Sequence, residues 1–135
     1  MAEEHPARLA SRRSMQAVRA KTKDAWLALF ADDGKIEDPI GISPLDHEGK
    51  GHVGKAAISA FWDQNIALNQ IEFDIRHSYA CGNEVANVGT ITTTLPNGMK
   101  ALAEGVFIYK VNAAGKLVSL RAFWEFEKTM AGLST

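Results

Sequence analysis

The chain has no excess of charge of either sign. Its 135 residues carry 15 lysines and arginines against 16 aspartates and glutamates, which gives a formal net charge of -1. Nucleic acid and anionic membranes attract basic proteins, so neither is expected as a partner. The rest of the composition, 46% hydrophobic and 23% charged, is that of an ordinary globular protein. The length fits a single domain over residues 1–135.

Cysteine and long apolar runs are also scarce. Cys81 is the only cysteine, which excludes an internal disulfide and favours a reducing compartment. The longest apolar run, residues 25–31, is too short to cross a bilayer. The first six residues are acidic and lack the apolar stretch of a secretory signal. These absences lead us to expect a soluble, cytoplasmic protein that does not insert into a membrane.

No metal or cofactor is expected. The four histidines never occur at metal-ligand spacing, and Asp46 with His47 and His52 is only a weak pattern for a divalent cation. A literal G-x-G-x-x-G runs from Gly49 to Gly54. The residues before it are polar and cannot form the buried parallel strand that a dinucleotide site needs. We therefore interpret Gly41 to Gly54 as a flexible loop.

Helical spacing dominates the first half of the chain. Apolar residues from Pro6 to Phe30 recur at helical intervals, with a break at residues 22–24. This predicts a first helix from Pro6 and a second over residues 25–30 that ends before Gly34. A short strand then reaches Asp38, and a third helix is predicted over residues 55–69.

The period changes to two after residue 70. Ile71, Phe73 and Ile75 alternate with charged residues, which predicts a strand with one solvated face. On the same parity we expect Tyr79 in the core. Three more strands follow, separated by turns with Asn or Gly at residues 81–84, 96–98 and 112–115. Helices followed by antiparallel hairpins predict an α+β fold with the helices on one face of a curved sheet.

The last two strands point to an apolar interior. The face of the final strand that is expected to meet the helices carries Val118, Leu120, Ala122, Trp124 and Phe126. On the preceding strand, Ala103 and Gly105 lie on one side with Phe107 and Tyr109. Small residues among large ones are typical either of a filled core or of a ligand cavity. Val106 and Ile108 make the other side of that strand apolar too, so we expect a second subunit there.

One carboxylate is aimed at this interior. Residues two apart in a strand share a face, so Asp38 lies with Ile36, while Glu37 lies with Lys35 on the other side. A carboxylate removed from water has a raised pKa, which is how a fold prepares a general base near neutral pH. The alternative is that Asp38 only caps a turn before Pro39.

Three segments resemble a known family. Residues 29–41 read LFADDGKIEDPIG, residues 54–62 read GKAAISAFW, and residues 112–124 read NAAGKLVSLRAFW. Together they resemble the Δ5-3-ketosteroid isomerases of the nuclear-transport-factor-like, SnoaL-like superfamily, and the resemblance covers nearly the whole chain. It implies a cone-shaped barrel in which three N-terminal helices pack on a strongly curved, mostly antiparallel sheet. It also implies an apolar pocket between the two layers and a homodimer.

The resemblance implies that Asp38 is the general base, which in this family moves a proton between C4 and C6 of the steroid. The tyrosine and the protonated aspartate that bind the oxyanion in this family fall at Ser14 and Phe107. Both strong donors are therefore missing. A supporting tyrosine falls at Trp62, whose indole donates a hydrogen bond but cannot take a proton. Trp124 matches an aromatic pocket residue.

These residues leave three functions open. The first is proton abstraction by Asp38 from a carbon next to a carbonyl, in a steroid-like or polycyclic ketone. The ligand would be bound by Ser14, Phe61, Trp62, Phe107 and Trp124. The second is a non-catalytic binder or carrier of an apolar small molecule, because the oxyanion donors are replaced. The third is an interaction module that uses the outer sheet face.

Three polar side chains bear on this choice. Ser14 lies on the small apolar stripe of its helix, so its hydroxyl has two possible places: it reaches the cavity, or it bonds back to a carbonyl of its own helix, which is the more common habit of such a serine. Tyr109 is a possible hydroxyl donor. Arg121 has outer parity on its strand, which argues against the Asp-Arg-Asp cluster of epoxide hydrolases with this fold.

Overall fold

The structure is a computed structural model, and it describes residues 4–134. In chain order the elements are α1 (Pro6–Ala20), α2 (Lys23–Leu27), β1 (Phe30–Glu37), β2 (His52–Val53), α3 (Lys55–Asn65), β3 (Gln70–Cys81), β4 (Glu84–Thr94), β5 (Lys100–Val111), β6 (Leu117–Phe123) and α4 (Phe126–Ala131).

The strands form one sheet in the order β2-β1-β6-β5-β4-β3. Every neighbouring pair is antiparallel except β1 and β6, which run parallel. The sheet is open, with β2 and β3 at its edges, rather than closed into a barrel. The predicted α+β class and the mostly antiparallel sheet are confirmed. The three predicted hairpin turns are also present, each with a glycine at positive φ.

Two paired glycines mark the line along which the sheet bends. Gly89 on β4 lies opposite Gly105 on β5. A Cβ on Gly105 would lie 1.9 Å from the Phe123 carbonyl oxygen, and one on Gly89 would lie 2.1 Å from the Asp74 carbonyl oxygen. Such close backbone approach, next to a bulge in β3, is typical of a sheet that is sharply bent. The concave side receives α1, α2 and α3.

A register shift in β3 overturns one prediction. The β3–β4 pairing slips between Ile75 and His77, which inserts one extra residue into the strand. Beyond the bulge the alternation is therefore inverted. Ser78 now faces α1, where it accepts a hydrogen bond from Arg8 Nε at 3.1 Å. Tyr79 is 61% exposed, so its expected place in the core is wrong.

The helix boundaries also differ from those predicted. The second helix ends at Leu27, because the Leu29 carbonyl accepts a hydrogen bond from the Leu117 amide at 2.8 Å and the chain then pairs with β6. The third helix ends at Asn65 rather than Asn69. Two elements were not predicted, the short strand β2 within the expected loop and the helix α4. Phe126 begins α4 instead of continuing the last strand.

The core lies between the helices and the concave face. The buried face of α1 is made of small residues, including Ala7 and Ala10, which lets this helix pack close to the sheet. The Trp26 side chain from α2 is buried beside Phe30, with ring centroids 4.8 Å apart. On β6 Leu120 and Ala122 are buried as predicted and Leu117 is fully buried, whereas Val118, which was expected to face inward, is half-buried. The β5–β6 pairing slips next to this point, between Lys110 and Val111.

Candidate active site

A cavity of about 290 Å³ lies between the helices and the concave face of the sheet. Its walls are formed by Ser14, Val18, Trp26, Asp38, Leu45, Phe61, Asn65, Ile66, Asn69, Ile71, Phe73, Ile91, Thr93, Leu95, Ala101, Ala103, Phe107, Tyr109, Leu120, Trp124, Phe126, Thr129 and Met130. Most of these side chains are apolar. Of the two interpretations of the small and large residues on β5 and β6, the structure has a cavity rather than a filled core.

Asp38 follows β1 and lines this cavity. Its neighbour Glu37 turns to the other side of the sheet, where Oε1 accepts a hydrogen bond from Arg121 Nε at 3.2 Å. The Ile40 amide donates to the Ala122 carbonyl at 3.1 Å, which keeps the segment after the strand against β6. The predicted parity of Asp38 and Glu37 is therefore confirmed. The peptide bond after Asp38 is cis.

Within residues 4–134, the Asp38 carboxylate accepts one hydrogen bond from a protein side chain, and Trp124 donates it. Its indole Nε1 lies 2.6 Å from Oδ1. Burial raises the pKa of Asp38 well above its ordinary range, and this effect is partly offset by the Trp124 hydrogen bond and by the nearby imidazole of His52. His52 packs against the Phe61 ring, 5.0 Å between centroids. The carboxylate is thus held in place while Oδ2 receives no hydrogen bond from a protein side chain in residues 4–134.

Ser14 does not make the expected bond back to its own helix. Ser11 makes a bond of that kind, from its hydroxyl to the Arg8 carbonyl at 2.9 Å. Ser14 instead accepts a hydrogen bond from the indole Nε1 of Trp26 at 3.1 Å, and it lines the cavity. The Trp26 donor comes from α2, so helical periodicity in α1 alone could not have located it.

Tyr109 is the site residue that the sequence placed least firmly. The sequence suggests a possible donor on the Phe107 side of its strand, and the residue lines the cavity, 4% exposed, on the same face of β5 as Phe107. Burial raises the pKa of the Tyr109 phenol, the charge of Asp38 raises it further, and the adjacent Ser14 hydroxyl offsets part of the effect. The phenol therefore stays protonated at neutral pH. Tyr109 lies two residues after Phe107 on the same strand, and this parity is the sequence signal that indicates its place.

The predicted aromatic residues divide into two groups. Phe61, Phe107 and Trp124 line the cavity as expected. Trp62 is buried but is not among the cavity-lining residues, and its ring packs on Trp26, 5.0 Å between centroids. Consecutive residues of a helix point about 100° apart, so the turn that directs Phe61 to the cavity directs Trp62 towards α2. Trp26 provides a cavity wall that the sequence did not predict.

The positions of the polar side chains support neither the epoxide-hydrolase cluster nor a metal site. Arg121 lies on the outer face beside Glu37, as its parity predicted, and cannot join an Asp-Arg-Asp cluster in the cavity. Asp46 accepts hydrogen bonds from the amides of Gly49 and Gly51 at 3.1 and 2.8 Å, so its carboxylate organises the loop. Within residues 4–134 no group of three or more His, Cys, Asp or Glu side chains is placed to hold a metal ion.

Residues 11–120 match the family model of the SnoaL-like domain, and the chain belongs to this family. A steroid Delta-isomerase of Nocardioides simplex is 27% identical over 112 residues, which cover 83% of this chain and 84% of that protein. The crystal structure of a Delta5-3-ketosteroid isomerase from Mycobacterium sp. has 36% identity and a TM-score of 0.89. That match covers 97% of this chain and 98% of the isomerase.

A second solved structure shows a similar degree of likeness. It is a Mycobacterium tuberculosis protein in complex with estradiol-17beta-hemisuccinate, with 34% identity, a TM-score of 0.88, and coverage of 98% of this chain and 100% of that one. The resemblance recognised from the three sequence segments is therefore confirmed. No helix within residues 4–134 is long and apolar enough to cross a membrane.

Proposed function

We propose that this protein is a steroid-isomerase-like enzyme in which Asp38 transfers a proton on a steroid-like or polycyclic ketone. The observation that supports this most directly is the position of Asp38, a carboxylate in the wall of an otherwise apolar cavity. Isomerases among the relatives make a steroid the first ligand class to test. The relative with a bound estradiol derivative supports a ligand of the same shape.

The chemistry needs a base that is fixed and poorly hydrated. Asp38 would take a proton from the carbon between the ketone and the double bond. The C–H electron pair then forms a new C=C bond, and the carbonyl π pair moves onto oxygen to give a dienolate. Return of the same proton to the far carbon of the dienolate leaves the double bond conjugated with the ketone. Trp124 orients the carboxylate through Oδ1 and leaves Oδ2 for the ligand.

The direct test compares wild type with Asp38→Asn. We expect wild type to convert a Δ5-3-ketosteroid to the conjugated enone, followed by its ultraviolet absorbance. Asp38→Asn should lower the rate by on the order of 10²–10⁴, the usual contribution of a general base. Asp33→Asn makes the same chemical change at an exposed position of β1 and serves as the matched control. Equal rates for wild type and Asp38→Asn would show that Asp38 is not the base.

The second candidate is a non-catalytic binder or carrier of an apolar molecule. It is favoured by Ser14 and Phe107, which stand where the resemblance places the two oxyanion donors. This function predicts that steroids quench Trp124 fluorescence, because Trp124 lines the cavity, without any turnover. Turnover by wild type that is lost in Asp38→Asn would exclude it.

We also propose that the protein works in the cytoplasm as a homodimer. The exposed Cys81 thiol suits a reducing compartment. The outer face of the sheet bears large apolar side chains in solvent, among them Leu102 and Phe123, each 46% exposed. An apolar sheet face of this kind is typical of a subunit interface.

A further inference from the structure

We propose that the Tyr109 phenol donates a hydrogen bond to the carbonyl oxygen of the ligand, in place of the donors missing at positions 14 and 107. Ser14, whose hydroxyl oxygen accepts a hydrogen bond from Trp26, lies beside the phenol. This inference rests on the proposed function, because a hydrogen bond at this oxygen accelerates the reaction only if Asp38 removes a proton next to the same carbonyl.

The strand register places Tyr109 close to the base. On β6, Leu120 is paired with Ile36 of β1 on one side and with Tyr109 of β5 on the other. Two residues further along β6, Ala122 is paired with Phe107, and the segment just after Asp38 is bonded to the Ala122 carbonyl. Tyr109 and Asp38 therefore lie in neighbouring rows of the same concave face, roughly 7 Å apart along the strands and two strands, roughly 10 Å, apart across the sheet.

The hydrogen-bond donors around Tyr109 are ordered. The Trp26 indole can only donate, so the Ser14 oxygen must be its acceptor. The Ser14 hydroxyl hydrogen is not used in that bond, and Ser14 lies close enough to Tyr109 to offset part of the pKa rise of the phenol. In the proposed arrangement Ser14 directs this hydrogen at the Tyr109 oxygen, and the phenol keeps its own hydrogen for the ligand.

A phenol in this position suits the reaction. Negative charge develops on the carbonyl oxygen as the carbon loses its proton, and a fixed donor in a cavity of low polarity stabilises that charge strongly. Asp38 and Tyr109 share the cavity, so the base and the donor can contact one ligand at the same time. The alternative is that Tyr109 only fills the core and bonds to Ser14, without a role at the ligand.

The test in turnover compares Tyr109→Phe with Tyr79→Phe. The substitution at position 109 removes one oxygen from the cavity, and we expect kcat to fall by on the order of 10²–10³ with KM little changed. Tyr79 is 61% exposed on the other face of the sheet, and its loss should leave kcat as in wild type. An unaltered kcat in Tyr109→Phe, with turnover still lost in Asp38→Asn, would overturn the donor role and leave the proposed function intact.

Binding provides a readout that does not depend on catalysis. Estrone carries a phenolic oxygen that can accept from Tyr109, and 3-deoxyestrone lacks it. Loss of one hydrogen bond in Tyr109→Phe should weaken estrone binding by on the order of tenfold and leave 3-deoxyestrone binding unchanged. This result, obtained with a wild type that has no turnover, would support the donor and reject the isomerase. Equal losses for the two ligands, or none, would overturn the donor role.

Discussion

At the level of single residues, Asp38 combines two demands that oppose each other. A base must be able to hold a negative charge, yet Asp38 lies in a cavity whose walls are mostly apolar. Burial destabilises the charged carboxylate and raises its pKa. The single indole donor from Trp124 offsets only part of this effect. In the proposed function, the arrangement favours proton transfer at the expense of stability, as functional sites commonly do.

Replacing this base should make the protein more stable at neutral pH. The folded pKa of Asp38 is raised above its ordinary value of 3.8, so the folded state binds this proton more tightly than the unfolded chain does. The free energy of unfolding of wild type therefore falls as the pH rises from about 3.8 through the folded pKa. Asp38→Asn removes this loss, and we expect its melting temperature to exceed that of wild type at pH near 7.

The pH dependence of the melting temperature distinguishes the cost of burying the Asp38 charge from other causes of a change in stability. The advantage of Asp38→Asn should shrink as the pH is lowered through the folded pKa towards 3.8, because the folded wild-type carboxyl is then protonated and its buried charge is gone. Asp33→Asn removes a charge at an exposed position of the same strand and controls for a general charge effect. A melting temperature of Asp38→Asn that is lower than wild type at neutral pH would contradict the assigned burial cost.

At the level of elements, alternation along strands predicted the site where the strands are regular. The β1 pattern placed Asp38 and Glu37 on opposite sides, and β5 placed Phe107 and Tyr109 on one side, as the structure has them. The same reasoning failed for Tyr79, because one inserted residue in β3 inverts every later position. The position of a bulge depends on how its strand pairs with another strand, so local periodicity does not predict it.

Contacts between distant elements account for the other differences. Apolar residues do recur at helical intervals up to Phe30. The backbone of Leu29 nevertheless pairs with Leu117, nearly ninety residues later in the chain, and the segment continues as strand β1 instead of as a helix. The indole of Trp26 reaches Ser14 from a different helix. Local sequence preference is weak compared with such pairing and burial. The family resemblance supplied the cone-like architecture, which periodicity alone left as a curved sheet with helices on one face.

The glycine pair at the bend gives a test of this architecture. We expect Gly105→Ala to lower the free energy of unfolding by about 2 kcal/mol or more, because the new Cβ would lie 1.9 Å from the Phe123 carbonyl oxygen. Gly132→Ala is the control, since its Cβ would meet only ordinary contacts at 3.6 and 3.7 Å. Urea unfolding of the two variants measures the difference. Equal stabilities would mean that the sheet does not need this close approach.

At the level of the whole molecule, the two faces of the sheet have different surroundings. The concave face is covered by helices and encloses the cavity. On the outer face the β4–β5–β6 ladder places Val88, Val106 and Phe123 in one row, and the next row continues with Ala86 and Ile108. Arg121 lies over the Phe123 ring, 5.6 Å from its centroid, but leaves that ring 46% exposed. An apolar patch of this kind, on a chain with a net charge of only -1, favours a second copy of the same chain as its cover.

Phe123→Lys should therefore dissociate the proposed homodimer into monomers. A lysine at the centre of the patch would bring two like charges together across a two-fold interface and would lose the apolar contact of the ring. Light scattering after size exclusion should give about twice 14.7 kDa for wild type and the single value for the variant. Leu68→Lys introduces the same charge at a residue that is 79% exposed and lies off the sheet, so it should remain dimeric. A wild type that is monomeric at micromolar concentration would exclude the homodimer, and the outer face would then need a different partner.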